Sequence, residues 1–125
     1  MKILVADDDI EVRSALQVLV NQQPCMKVVG EADEISALLP TVWYTRPHLI
    51  VLDWELPGRV EAALIAWLHA LQPRPFILAL SSQPEAEDQA VAAGVDAFVS
   101  KASSGEHLLN VLSKILSSSR RDEAS

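Results

Sequence analysis

The sequence predicts an α/β fold in which a five-stranded parallel sheet, in the order 2-1-3-4-5, carries helices on both faces. Short apolar runs alternate strictly with segments whose apolar residues recur three and four positions apart. The apolar runs are continuous, which is typical of strands buried on both faces of a parallel sheet. Polar residues follow most of these runs directly, at the edge where open parallel sheets bind their ligands.

Five segments predict the strands. Each is short and mainly apolar, and each is bounded by polar or turn-forming residues. They are Ile3–Ala6, Lys27–Gly30, His48–Asp53, Phe76–Ser81 and Ala97–Ser100.

Five further segments carry the apolar spacing of helices, over about 10–22, 35–42, 64–71, 84–93 and 108–116. Asp9 is expected to cap the first helix, and Pro40 is expected to kink or break the second. Gly94 stands where the fourth helix should end. Ser103 and Glu106 form a candidate capping box at the start of the last helix.

One domain is expected over residues 1–117, followed by a polar tail over 118–125. The tail has no hydrophobic period, so we expect it to be disordered or a linker. Half of the 125 residues are hydrophobic, which is enough for a core without stabilising cross-links. Cys25 is the only cysteine and cannot form an internal disulfide, which fits a reducing compartment.

The composition also argues against several classes of function. A net charge of −7 disfavours binding of nucleic acid by this domain. No apolar run reaches the roughly 18 residues of a membrane span. The apolar stretch near the N-terminus is too short for a signal peptide. A cytoplasmic domain that binds neither membrane nor nucleic acid is therefore expected.

Chemically useful side chains fall at the carboxyl ends of the predicted strands. Asp7 and Asp8 follow the first strand, Asp53 ends the third, Ser81 closes the fourth and Lys101 follows the fifth. In the order 2-1-3-4-5, strands 1 and 3 are neighbours, so the three carboxylates should meet. Carboxylate oxygens favour Mg²⁺ or Mn²⁺, and one carboxylate can accept a phosphoryl group as an aspartyl phosphate.

In these residues the chain resembles the receiver domain of bacterial response regulators, the CheY-like family. The resemblance covers residues 1 to about 117 and rests on the motifs VADDD (5–9), IVLDWELPG (50–58), LALSS (78–82) and FVSK (98–101). It implies that Asp53 is the phosphoacceptor and also a ligand of Mg²⁺. It also implies that Asp8 binds Mg²⁺ directly, that Asp7 binds it through water, and that the Glu55 backbone carbonyl is a further ligand.

The resemblance assigns roles to three more residues. Ser81 would supply the hydroxyl that follows the phosphoryl group, and Lys101 would pair with that group. Phe98, three residues before the lysine, would be the rotating aromatic switch that couples the site to helix 4, strand 5 and helix 5. The phosphodonor would be a sensor histidine kinase or a histidine phosphotransfer protein. The domain would then be regulatory, catalysing only its own phosphotransfer and dephosphorylation.

The sequence departs from the family pattern in places that leave these residues intact. The stretch from Ser81 to Lys101 is about two residues shorter than usual, and Ala102 stands where many members carry a cis proline. The run Lys-Ala-Ser-Ser resembles the subgroup whose receivers precede helix-turn-helix DNA-binding domains. A homodimer and a C-terminal DNA-binding output domain are therefore further candidate partners.

The sequence also fits other interpretations. Phe98 also fits a plain core aromatic, and Ser81 fits a turn residue. An Mg²⁺-dependent hydrolase with an aspartate nucleophile, of the haloacid-dehalogenase type, and a receiver-like scaffold that is never phosphorylated are the rival functions. Two other residue types are assigned to structure: Trp43 and Trp67 to packing on helix faces, and His48, His69 and His107 to structural or exposed positions.

Overall fold

The computed structural model describes the chain fully over residues 1–118. The last helix is traced to Ala124, and the side chains of residues 119–125 lie outside the described part. The expectation of a disordered tail or linker over 118–125 falls almost wholly on those residues and stays a prediction. Within the described residues, none of the helices combines the length and apolarity that crossing a membrane requires.

The predicted sheet is confirmed. Five parallel strands lie in the order β2-β1-β3-β4-β5. Their register decides where the site forms: Ala6 lies opposite Leu52, so Asp7 and Asp53 come next on neighbouring strands. The strands are β1 (Lys2–Ala6), β2 (Lys27–Ala32), β3 (Leu49–Asp53), β4 (Phe76–Ser81) and β5 (Ala97–Ser100).

The helices cover both faces of this sheet, as predicted. Helices α1 and α5 bury apolar side chains on one face, and α2, α3 and α4 do so on the other. A short 3₁₀ turn (Pro84–Ala86) leads into α4, so the predicted fourth helix is split into two pieces. The helices are α1 (Ile10–Asn21), α2 (Ile35–Thr45), α3 (Ala62–His69), α4 (Glu87–Ala93) and α5 (Gly105–Ala124).

The helix-end predictions have mixed outcomes. The Asp9 side chain accepts a hydrogen bond from the Glu11 N–H at 2.9 Å, so the α1 cap is confirmed. Gly94 has φ of 106° and ends α4, also as predicted. The capping box at Ser103 is wrong, because Ser104 Oγ accepts from the His107 N–H at 3.1 Å and α5 begins at Gly105.

Pro40 does not break α2, which continues to Thr45. The proline lies on the exposed side of the helix, where water can satisfy the carbonyl that its missing N–H leaves unpaired. Leu38 and Val42 are almost fully buried on either side of it, and their packing holds the helix against the sheet.

The predicted packing roles of two tryptophans are wrong. Trp43 and Trp67 are 58% and 42% exposed. The Trp43 ring lies 4.3 Å from the Arg46 guanidinium, a cation–π contact at the surface. Helical spacing alone does not distinguish the buried stripe from the residue beside it, which explains the error.

The histidines have structural or exposed positions, as predicted. His48 Nδ1 accepts from the Lys2 N–H at 2.8 Å, and His69 Nε2 lies 3.0 Å from Asp96 Oδ2. Asp96 also accepts from the Ile77 N–H at 2.8 Å. The Asp96 carboxylate therefore links α3 to β4 at the amino-terminal end of the strands, the end opposite Asp7 and Asp53.

Candidate functional site

Three carboxylates meet at the carboxyl ends of β1 and β3. Asp7, Asp8 and Asp53 each place an oxygen within 4.8 Å of the others. Asp7 and Asp53 are 1% exposed, whereas Asp8 is open to solvent. The structure therefore brings together the three aspartates that the strand order predicted would meet.

Lys101 reaches this cluster from the end of β5. Its Nζ lies 2.8 Å from Asp7 Oδ2 and 3.3 Å from Asp53 Oδ1. The Lys101 N–H donates to the Ser81 carbonyl at 2.8 Å, which anchors the backbone that carries the side chain. One ammonium thus bridges the two buried carboxylates.

Backbone hydrogen bonds fix the direction of both buried carboxylates. Asp7 Oδ1 accepts from the Asp9 N–H at 2.9 Å, and Asp53 Oδ1 accepts from the Glu55 N–H at 3.0 Å. Side chains that bond a backbone N–H two residues onward stabilise tight turns. The chain therefore turns immediately after each aspartate and leaves the carboxylates at the sheet edge. Arg13 Nη1 supports the first turn by donating to the Asp7 carbonyl at 2.6 Å.

The buried position of Asp53 disfavours its charge. Burial raises the pKa of Asp53 from 3.8 to about 6, and the nearby charge of Asp7 adds to this. The hydrogen bond from Glu55 and the contact with Lys101 oppose the rise. Burial alone lowers the pKa of Lys101, but its contacts with Asp7 and Asp53 outweigh burial, so that pKa lies above its ordinary value. The lysine is therefore a permanent cation at the site.

The donor set fits a divalent cation. Asp7 Oδ2 is buried, and the Lys101 ammonium lies 2.8 Å from it. Three carboxylates gathered around one ammonium carry an excess of negative charge, which favours binding of a further cation. Mg²⁺ is usually held by one or two carboxylates, with water or phosphate filling the other positions. The exposed Asp8 leaves one side of the cluster open for such ligands.

Ser81 lies at the site but its hydroxyl points to a different partner from the one expected. The residue is fully buried, and its Oγ donates to Glu55 Oε2 at 2.8 Å. Ser82 contacts the same carboxylate through its N–H at 3.1 Å and its Oγ at 3.2 Å. The sequence indicates that Glu55 is a loop residue near the site that shapes access and the lifetime of the phosphoryl group, and that its backbone carbonyl is a ligand, but it does not predict these side-chain contacts with Ser81 and Ser82.

Phe98 is half-buried on β5 and packs against the core formed by α2, α3 and α4. It lies opposite Ala79 in the sheet register. This position fits both a core aromatic and a switch, so its switching role stays a prediction.

A doubly wound sheet with clustered carboxylates, a hydroxyl and a lysine at one edge defines the receiver class of regulatory domains. Residues 3–113 match the model of the response regulator receiver domain. The chain belongs to that family, which operates in two-component signalling systems.

Two curated relatives illustrate the match. The chain is 30% identical over 117 residues to the Fimbriae Z protein of Salmonella typhimurium (strain LT2), covering 92% of this chain and 56% of that protein. It is 31% identical over 81 residues to a protein-glutamate methylesterase/protein-glutamine glutaminase of Thiobacillus denitrificans, covering 65% of this chain and 23% of that protein. The chain therefore spans about half, or less, of the length of these relatives.

Solved structures agree on the fold. A two-component response regulator of the LuxR family from Aurantimonas sp. SI85-9A1 superposes with a TM-score of 0.83 at 24% identity, covering 94% of this chain and 85% of that one. The response regulatory domain of mrkE from Klebsiella pneumoniae gives 0.85 at 21%, covering 97% and 99%. RcsB from Salmonella enterica serovar Typhimurium, bound to promoter rprA with the phosphomimetic BeF3⁻, gives 0.83 at 21%, covering 94% and 60%.

Proposed function

We propose that this receiver accepts a phosphoryl group on Asp53, with Mg²⁺ held by Asp8, Asp53, Asp7 and the Glu55 carbonyl. The observation that carries the proposal is the Lys101 ammonium, which lies 2.8 Å from Asp7 and 3.3 Å from Asp53 at the edge where the three carboxylates meet. A cation fixed beside a buried nucleophile is the arrangement that phosphoryl transfer needs, since catalysis there is mostly positioning and charge stabilisation.

The donor is a phosphohistidine on a sensor histidine kinase or a histidine phosphotransfer protein. An oxygen of the Asp53 carboxylate attacks phosphorus and forms an O–P bond. The P–N bond of phosphohistidine breaks, and its electron pair returns to the imidazole nitrogen, which becomes protonated from solvent. The product is an aspartyl phosphate on this chain and a free histidine on the donor.

Other residues of this chain position the acceptor and stabilise the charge of the transferring group. Asp53 is held in place by the Glu55 N–H, and Lys101 offsets the negative charge that gathers on the transferring oxygens. Bound Mg²⁺, or Mn²⁺ in its place, would supply further charge neutralisation for the carboxylates and the phosphoryl oxygens. The Ser81 hydroxyl then donates a hydrogen bond to an oxygen of the phosphoryl group.

Phosphorylation shifts the equilibrium between two conformations of the domain, and this shift transmits the signal. Movement of Ser81 frees space that Phe98 occupies, and the surface of α4, β5 and α5 changes with it. The relatives are longer than this chain, and the structural neighbours include LuxR-family regulators and a promoter-bound RcsB. These support a C-terminal DNA-binding domain as the output, and a homodimer through the changed surface is the second output that we propose.

Phosphorylation with a small donor tests the proposal. The chain is incubated with acetyl phosphate and MgCl₂, and its intact mass should rise by one phosphoryl group. Borohydride reduction should then convert Asp53, and no other aspartate, to homoserine, as read by peptide mass spectrometry. Chelation of the metal should prevent the gain, and MnCl₂ should restore it.

Three results would contradict the proposal. The mass could stay unchanged, as a receiver-like scaffold requires. The label could lie on a residue other than Asp53. The chain could instead release phosphate continuously from p-nitrophenyl phosphate, as the haloacid-dehalogenase-type hydrolase would.

A further inference from the structure

The Glu55 carboxylate makes three hydrogen bonds, all to Ser81 and Ser82, the last residue of β4 and the first residue of the turn after it. Its Oε2 accepts from Ser81 Oγ at 2.8 Å, and its Oε1 accepts from Ser82 N–H at 3.1 Å and Ser82 Oγ at 3.2 Å. Hydrogen bonds to an ionised acceptor are about twice as strong as neutral ones. Glu55 therefore ties the loop after β3 to the turn after β4.

This contact uses donors that the phosphoryl group needs. The Ser81 hydroxyl has one proton, and Glu55 Oε2 is a nearer and stronger acceptor for it than the Gln83 carbonyl at 3.2 Å. Ser81 therefore cannot donate to Glu55 and to a phosphoryl oxygen at the same time. The Ser82 N–H is a second donor of the type that stabilises oxyanions, and Glu55 accepts from it as well. The contact must open when Asp53 is phosphorylated.

Nothing else in the described residues accounts for this carboxylate. Glu55 is exposed and forms no ion pair within residues 1–118. In that part of the chain its carboxylate therefore acts through its hydrogen bonds to Ser81 and Ser82. A phosphoryl group on Asp53 would also bring negative charge two residues away from it. Both effects oppose formation of the aspartyl phosphate.

We propose that Glu55 is a latch, a positioning residue whose carboxylate holds the Ser81–Ser82 turn in its unphosphorylated arrangement and slows phosphorylation of Asp53. The latch rests on the proposed function, because it opposes the phosphorylated state. It is separate from the Glu55 backbone carbonyl, which a side-chain substitution leaves in place.

Removal of the latch should accelerate phosphorylation. At saturating Mg²⁺, we expect Glu55→Ala to take up phosphate from acetyl phosphate about five- to tenfold faster than the wild type, which corresponds to the net contribution of about one ordinary hydrogen bond. Glu55→Gln keeps an acceptor for the Ser82 N–H but offers an NH₂ group to Ser81. We expect it to gain about two- to threefold.

Glu61→Ala is the matched control. Glu61 is an exposed carboxylate in the same β3–α3 segment, and its side chain makes no capping bond to α3. The substitution removes the same charge without touching the serine turn, so its rate should stay within about twofold of the wild type.

Amide exchange provides a readout that a change in general stability would not reproduce. In the unphosphorylated protein, the Ser82 amide should exchange faster in Glu55→Ala, while the Gln83 amide, which donates to Ser81 Oγ at 2.9 Å, serves as a neighbouring reference. Ser82→Ala removes one of the three bonds. It should raise the phosphorylation rate less than Glu55→Ala does and add nothing in the double variant.

The outcomes separate the latch from the proposed function. If the wild type is labelled on Asp53 and Glu55→Ala is no faster, the latch is wrong and the function stands. If Glu61→Ala accelerates the reaction as much, general charge accounts for the effect and the latch is wrong. If the wild type takes up no phosphate, the function fails and the latch fails with it.

Discussion

The Asp53→Asn variant is expected to gain no phosphoryl group under conditions that label the wild type. The carboxamide has no anionic oxygen to attack phosphorus, and it removes one of the three carboxylates of the cluster. Intact mass after incubation with acetyl phosphate and Mg²⁺ measures the loss. Asp9→Asn is the control, because asparagine caps a helix as well as aspartate does and should leave α1 and the labelling intact.

The same variant should also change how stability depends on pH. Folding raises the pKa of Asp53 from 3.8 to about 6, chiefly through burial. Between those values the folded chain binds a proton that the unfolded chain lacks. The stabilising contribution of Asp53 is therefore fully present below its unfolded pKa and is lost as the pH rises through about 6.

At pH 7.5 the buried, ionised Asp53 should cost the metal-free wild type about 3 kcal/mol, taking 1.36 kcal/mol per pKa unit as the scale. Asp53→Asn should be more stable than the wild type at that pH, and the two should converge near pH 4. Urea unfolding at both pH values measures this. Saturating Mg²⁺ should narrow the gap at pH 7.5, because the cation binds and stabilises the ionised wild type. A gap that does not depend on pH would contradict the burial argument.

The sheet could be predicted because the strands carry two signals, an apolar run and a polar residue at its end. The run Leu49–Leu52, for example, is apolar throughout, and Asp53 ends the strand. The strand order then follows from a small set of allowed topologies. The ends of the helices were harder to predict from the sequence. Ser103 and Ser104 have the same capping chemistry, and only the geometry of the preceding turn selects Ser104 as the cap of α5.

The site was predictable as far as strand ends determine it. The register that sets Ala6 opposite Leu52 also brings Asp7 and Asp53 together. Lys101 follows β5, which lies two strands from β3 in the sheet. The latch was not predicted, since it depends on which way the Glu55 side chain leaves its loop. A signal was present in the sequence: an acidic residue two positions after Asp53 and a Ser-Ser pair after the neighbouring strand.

Lys101→Met is expected to slow phosphorylation of Asp53 by about a hundredfold, the typical cost of removing a fixed group that stabilises charge in the transition state. Methionine retains much of the length of the side chain but leaves Asp7 and Asp53 without their shared ammonium. The rate with acetyl phosphate at saturating Mg²⁺ measures the effect. Lys114→Met, on the exposed side of α5, should leave the rate unchanged.

The pH profile of this variant separates a charge effect from simple loss of packing. Lys101 lowers the pKa of Asp53, so its removal lets burial and Asp7 raise that pKa beyond about 6. The ionised, nucleophilic form of Asp53 then appears only at higher pH. The rise of the labelling rate with pH should therefore occur at a higher pH in the variant than in the wild type. Lys101→Arg keeps the charge and should keep the wild-type profile, even if its larger head group lowers the rate. A Lys101→Met profile that coincides with the wild type would mean that the ammonium does not control the acceptor.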